Sequence, residues 1–281
     1  MHTLISLTRF PYAASTVDLG YTISSAFNSD ISLLTVATTN SDSDNATNSL
    51  KTAGERLPIE PIASLLKDGD PESQIMMEIR TGQYDLLVIG ARHHRGSPAE
   101  VLLGDVSHRV VKRTPISTLV VRGESRPLQN ILVCTGGPEA ASDTVTSAAT
   151  LARATGSRVT LLHVAAAIPT MYTGLEQIGE TLTDLLQTDT PTARHLRQCA
   201  QIMESNEVEA NIELRHGIPA TEIIRSVERG SFDLLIIGAS AHRGLGRVLL
   251  DEVSLKLVDR STLPLLIIQK GFEESVNAAD V

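Results

Sequence analysis

The segment Tyr84-Asp-Leu-Leu-Val-Ile-Gly-Ala-Arg-His-His-Arg-Gly96 returns as Phe232-Asp-Leu-Leu-Ile-Ile-Gly-Ala-Ser-Ala-His-Arg-Gly244, with nine of thirteen positions identical and a constant offset of 148 residues. A repeat of that length means one folding module occurs twice, so fold and function must both be explained as a pair. In each copy an apolar run of the kind buried in a parallel sheet leads into a glycine-bearing turn with basic residues. An open α/β sheet presents its ligand-binding groups there, beyond the carboxyl ends of its strands.

Apolar runs alternate with helix-length segments through the rest of the chain. In the first half, strands are expected at 4–7, 31–37, 62–66, 86–90 and 117–121. Helices are expected over 12–28, up to residue 57, over 71–81 with proline in its first turn, and over 99–112. The second half repeats the order, with strands at 131–134, 159–164, 210–214, 234–238 and 265–268. Its helical segments are 139–155, 176–205, 219–229 and 247–260. This pattern implies two tandem, doubly wound, five-stranded parallel-sheet domains of the α/β class. They are placed at residues 1–123 and 131–270, joined by the linker 124–130 and followed by a tail, 271–281. Two homologous units are expected to pack about a pseudo-two-fold axis through the last strand of each. A homodimer of such tandem chains is a further expectation.

Changes in offset locate an insertion. Residues 31–36 match 159–164 at an offset of 128, so copy two carries 20 extra residues between its second and third strands. The stretch around 171–186 reads as a helix or lid with a surface for a partner. Val101-Leu-Leu103 matches Val248-Leu-Leu250 at 147, which places one extra residue in the turn of copy one.

Composition narrows the function classes. A net charge of −9 and the absence of tryptophan argue against nucleic-acid binding through phosphate contacts or base stacking. No apolar run approaches the roughly 20 residues of a spanning helix. The first residues read as a strand rather than a signal peptide, and Cys134 and Cys199 as reduced thiols, which together suggest a cytoplasmic protein away from membranes.

Glycines and basic residues between Gly90 and Gly104 supply the ingredients of an anion site: close backbone approach, a following helix N-terminus, and charge from Arg92, His94 and Arg95 beside Gly96. With these come Asp-Leu-Leu-(Val/Ile)-Ile-Gly before each turn, Lys67-Asp-Gly-Asp-Pro71, Arg215-His-Gly-Ile-Pro219, and a closing apolar strand after Thr-Pro in copy one. Together these features resemble a universal stress protein in its tandem, two-domain form, over nearly the whole chain. The resemblance implies an adenine nucleotide alpha hydrolase-like fold. It also implies a Gly-x₂-Gly-x₉-Gly-(Ser/Thr) loop around phosphates and an aspartate after strand one that meets adenine, with ATP or AMP as ligand.

Both copies depart from that pattern. In copy one His93 replaces the second glycine, Gly104 comes one residue late and Asp105 follows it. In copy two Gly238 is kept, but Ala241 replaces the second glycine and Asp251-Glu252 the final pair. Arg9 and Gly136 stand where the adenine aspartate is expected. A carboxylate about 4 Å from a phosphate charge is repelled by roughly 4 kcal/mol at an effective dielectric of 20. Copy one, with Ser107 as a substitute hydroxyl, is therefore the better nucleotide candidate. The corresponding residues of copy two are Gly238, Ser240, His242, Arg243 and Gly244.

The reading that results is a non-enzymatic stress-response protein that acts through protein interaction and carries degenerate nucleotide sites. An ATP or AMP sensor using the first glycine turn is the alternative. A second alternative is an esterase-like enzyme, because Gly238-Ala-Ser240-Ala-His242 matches most of a nucleophile elbow but lacks its last glycine. No pair of histidines has the spacing of metal ligands on one helix face, so no metal is expected.

Overall fold

In the computed structural model, which describes residues 1–39, 42–91, 104–136, 141–165, 182–239 and 250–272, strands and helices alternate through both halves. The first half runs β1 (His2–Leu7), α1 (Ala14–Ala26), β2 (Asp30–Ala37), α2 (Ser43–Arg56), β3 (Ala63–Asp68), α3 (Pro71–Thr81), β4 (Leu86–Gly90), α4 (Asp105–Arg113) and β5 (Ser117–Val121). The second runs β6 (Asn130–Cys134), α5 (Ala141–Thr155), β7 (Arg158–Ala165), α6 (Leu182–Gln187), α7 (Pro191–Ser205), β8 (Ala210–His216), α8 (Pro219–Arg229), β9 (Leu234–Gly238), α9 (Glu252–Arg260) and β10 (Leu265–Ile268).

Local chemistry sets many of these boundaries. The Asp70 carboxylate accepts the Ser73 amide at 2.9 Å and Pro71 opens the helix, a favoured N-terminal pairing for α3. The helical region expected over 176–205 is divided within its described part. Pro191 has no amide to continue α6, and Thr190 caps the new helix by accepting from Ala193 at 3.2 Å. Of the stretch around 171–186, residues 171–181 lie outside the described residues and 182–186 fall within α6.

The described strands form one ten-stranded sheet in the order β3-β2-β1-β4-β5-β10-β9-β6-β7-β8. Each half is a five-stranded parallel unit, and β5 meets β10 antiparallel. Thr118 opposes Ile267 and Leu119 opposes Leu266. Past the turn the offset is 147, which carries Thr118 onto Leu265 and Leu119 onto Leu266, so the pseudo-two-fold axis passes through the Leu119–Leu266 pair. The expected pairing of the two final strands is thus present within one chain.

Side chains alternate across the sheet and feed two cores. Ile5, Val88, Leu119, Val133 and Leu266 face the layer that contains α1, α2, α5 and α7. Leu4, Leu87, Val120, Leu132 and Leu265 face the layer that contains α3, α4, α8 and α9. Both cores continue across the junction between the halves. Arg122, buried at the end of β5, donates to the carbonyls of Val258 and Ser261 at the end of α9. Gly271 and Phe272, the first residues of the expected tail, are packed: the Gly271 amide donates to Asp143 at 2.7 Å and Phe272 is buried.

Candidate functional site

The strand order reverses between β1 and β4 and again between β9 and β6, and a cavity opens at the carboxyl ends of the strands at each of these points. The first, about 400 Å³, lies among the ends of β1, β2 and β4 and the starts of α2, α3 and α4. The second, about 370 Å³, occupies the equivalent place in the other half.

In the first cavity Arg9 stands where an adenine-binding aspartate was expected, and its charge is already engaged. Its Nη2 donates to Asp42 Oδ1 at 2.8 Å, and Thr38 Oγ1 donates to the other carboxylate oxygen at 2.8 Å. The Thr38 hydroxyl and then Arg9 hold the Asp42 carboxyl below its usual range. Asp42 was not singled out in the sequence, because a lone acid in a polar loop gives no signal. Arg109 on α4 also lines the cavity, and it and Arg113 both donate to the carboxylate of Glu72 on α3.

The opposite end of the cavity is the start of α4. Gly104 is the N-cap, with extended backbone and no side-chain cap, and Asp105 is the first helical residue. Asp105 lines the cavity and does not cap the helix. Ser107, expected as a substitute hydroxyl for a ligand, lines the cavity and donates to the Gly90 carbonyl at 2.9 Å, which ties α4 to β4. Gly90 has a packing reason of its own: a Cβ there would come within 2.6 Å of Thr16 Oγ1 on α1.

The second cavity differs where it matters electrostatically. Asp251, at the position of Gly104, caps α9 by accepting the Ser254 amide at 2.7 Å. Gly136 and Gly238 line the cavity with Cys134, whose thiol burial pushes up to about 12. Thr135 Oγ1 and His163 Nδ1 are 3.0 Å apart. The His163 pKa is lowered by burial, then by the neighbouring His195 and His216, so the ring is neutral near pH 7. The sequence offered His163 only as one of several scattered histidines. Its pairing with Thr135 follows from the β6–β7 register, in which Cys134 lies opposite Leu162.

Of the residues singled out from sequence, Gly90, Gly104 and Ser107 come together at the first switch point and Gly238 lies at the second. Arg92, His94, Arg95, Gly96, Ser240, His242, Arg243 and Gly244 lie outside the described residues. Among the described residues there is no group of three or more side chains that could hold a metal ion, and no helix long and apolar enough to cross a membrane.

A sequence profile of the universal stress protein family matches the chain twice, over residues 16–122 and 127–269. A universal stress protein of Methanocaldococcus jannaschii is 24% identical over 155 residues, 55% of this chain and 90% of that protein. Among solved structures, a universal stress protein from Archaeoglobus fulgidus has a TM-score of 0.68 at 16% identity, covering 96% of this chain and 98% of that one. A functionally unknown protein from Pseudomonas aeruginosa has a TM-score of 0.66 at 14% identity, covering 99% and 97%. At these identities the structural likeness is one of fold.

Proposed function

The chain belongs to the universal stress protein family, and on that premise we propose that it is a non-enzymatic, cytoplasmic stress-response protein that acts through contact with another protein and is tuned by an adenine nucleotide in its first domain alone. The division that fits this reading is a ligand-holding domain at 1–123, a linker at 124–130 and a second domain at 131–270, with two such chains forming a dimer.

The observation that carries the asymmetry is the contrast between two equivalent helix starts. At Gly104 α4 begins beside a cavity of about 400 Å³ with no side-chain cap from the described residues. At Asp251 a carboxylate already occupies that place. A helix N-terminus attracts an anion only while its amides are free to donate. Asp105 and the Arg9–Asp42 pair make the first cavity a weak site, which suits a ligand that modulates rather than one that is turned over.

Titration calorimetry with ATP and AMP, together with the nucleotide content of heat-extracted protein, tests the reading. One site per chain is expected, lost in Gly104→Asp. Two sites per chain, or binding that survives Gly104→Asp, would remove the assignment to the first domain. No binding at millimolar nucleotide would leave a pure interaction protein.

A further inference from the structure

The second cavity is not merely a failed copy of the first. We propose that it binds a small uncharged, largely apolar molecule that carries one hydrogen-bonding group. This site is separate from the nucleotide reading of the first domain and does not depend on it.

Two substitutions at matched positions set its electrostatics. Where the first domain has Arg9 the second has Gly136, which removes a positive charge. Where the first has Gly104 the second has Asp251, which adds a negative one and takes up the Ser254 amide. No lysine or arginine of the described residues lines the second cavity. An anion entering it meets a carboxylate with no described counter-charge, at the start of a helix whose first turn is already capped.

The walls favour a different guest. Leu162, Val164, Ile223, Ile237, Val253 and Leu257 line the cavity from β7, α8, β9 and α9. At about 370 Å³ it falls within the roughly 300–1,000 Å³ of small-molecule sites. A convergent polar pair completes it: Thr135 Oγ1 and His163 Nδ1, 3.0 Å apart, both among the lining residues. A mainly apolar wall with a few polar groups selects ligands by shape and by a small number of hydrogen bonds. A neutral imidazole can serve as donor or acceptor, so the pair suits a hydroxyl or carbonyl on the guest.

The test compares two probes that share a ring system and differ in charge, 1-naphthol and naphthalene-1-sulfonate, titrated into the full chain by fluorescence and calorimetry. The expected result is one 1-naphthol site per chain, at least roughly tenfold tighter than the sulfonate and undisplaced by about 1 mM ATP. Val253→Trp, which fills the cavity from a half-buried position, is expected to abolish binding, whereas Ile75→Trp in the first cavity leaves it intact. Thr135→Val keeps the side-chain shape and is expected to weaken 1-naphthol at least about threefold while leaving 1-methylnaphthalene unchanged. The proposal is overturned if the sulfonate binds as tightly as 1-naphthol, or if neither binds at millimolar concentration. It is equally overturned if Ile75→Trp rather than Val253→Trp removes the site.

Discussion

The ring of Phe272, just past the last strand, packs edge-on against Phe27 at the end of the first helix, with centroids 5.2 Å apart and planes at 83°. The chain's final described turn is therefore anchored in the core of its opening module, since both rings belong to one buried cluster. Phe272→Ala removes a buried aromatic and leaves a cavity, a change that costs about 3 kcal/mol. Urea unfolding followed by circular dichroism is expected to show the loss as a lower midpoint. A truncation that ends at Lys270 should lose at least as much, because it also removes the Gly271 amide that donates to Asp143.

The repeat that defines the two modules begins with an aromatic residue, and the structure supplies a reason. A Cβ at Gly82 would meet the Tyr84 ring at 2.2 Å, and a Cβ at Gly230 would meet the Phe232 ring at the same distance. Each glycine ends a helix with φ near −90°, which any residue can adopt, so the constraint is steric and not conformational. Gly82→Ala and Gly230→Ala are each expected to destabilise by about 1–3 kcal/mol through forced displacement of the ring. If either substitution leaves the thermal midpoint unchanged, the aromatic contact does not fix the helix-to-strand turn.

Most of the fold was legible because period and punctuation agree. Leu-Leu-Val-Ile and Leu-Leu-Ile-Ile are buried on both faces, so their continuous apolar character marks them as central strands. The β5–β10 junction followed from the need to cover a sheet edge, and its register then fixed the axis. The site was legible in outline only. Arg9 drew attention by what it replaced, but its partner Asp42 lies 33 residues away and gave no signal before the ion pair was seen. Ser107 was expected to face a ligand. It lines the cavity, and its hydroxyl donates to the Gly90 carbonyl, a backbone acceptor that the sequence pattern could not point to. Phe272 was read as part of a tail because a lone aromatic beyond the last strand carries no periodicity.

The two acids at the helix starts should behave differently on removal. Asp251 caps α9 through the Ser254 amide, so Asp251→Ala is expected to cost about 1 kcal/mol. Asp105 is a first-turn residue with no cap bond, and Asp105→Ala should fall within about 0.5 kcal/mol of wild type. Denaturation midpoints of the two variants, measured side by side, distinguish a structural carboxylate from one that only lines a cavity.

Half-buried and buried histidines give the protein a predictable response to acid. Burial lowers the pKa of His2, His163 and His195 below the ordinary value of 6.5, and each ring is held neutral by its surroundings. Below pH 6.5 the unfolded chain binds protons that the folded chain refuses. Stability from these groups is therefore full above that value and is lost as pH falls from it toward the lowered folded values. The urea midpoint is expected to drop between about pH 7.5 and about pH 5.5, faster than carboxylate titration alone would give over that range. His163→Asn keeps a hydrogen-bonding group near Thr135 but cannot titrate, so its midpoint should depend less steeply on pH than that of the wild type. An unchanged slope in His163→Asn would mean that His163 protonates equally in the folded and unfolded chains, contrary to its burial beside His195 and His216.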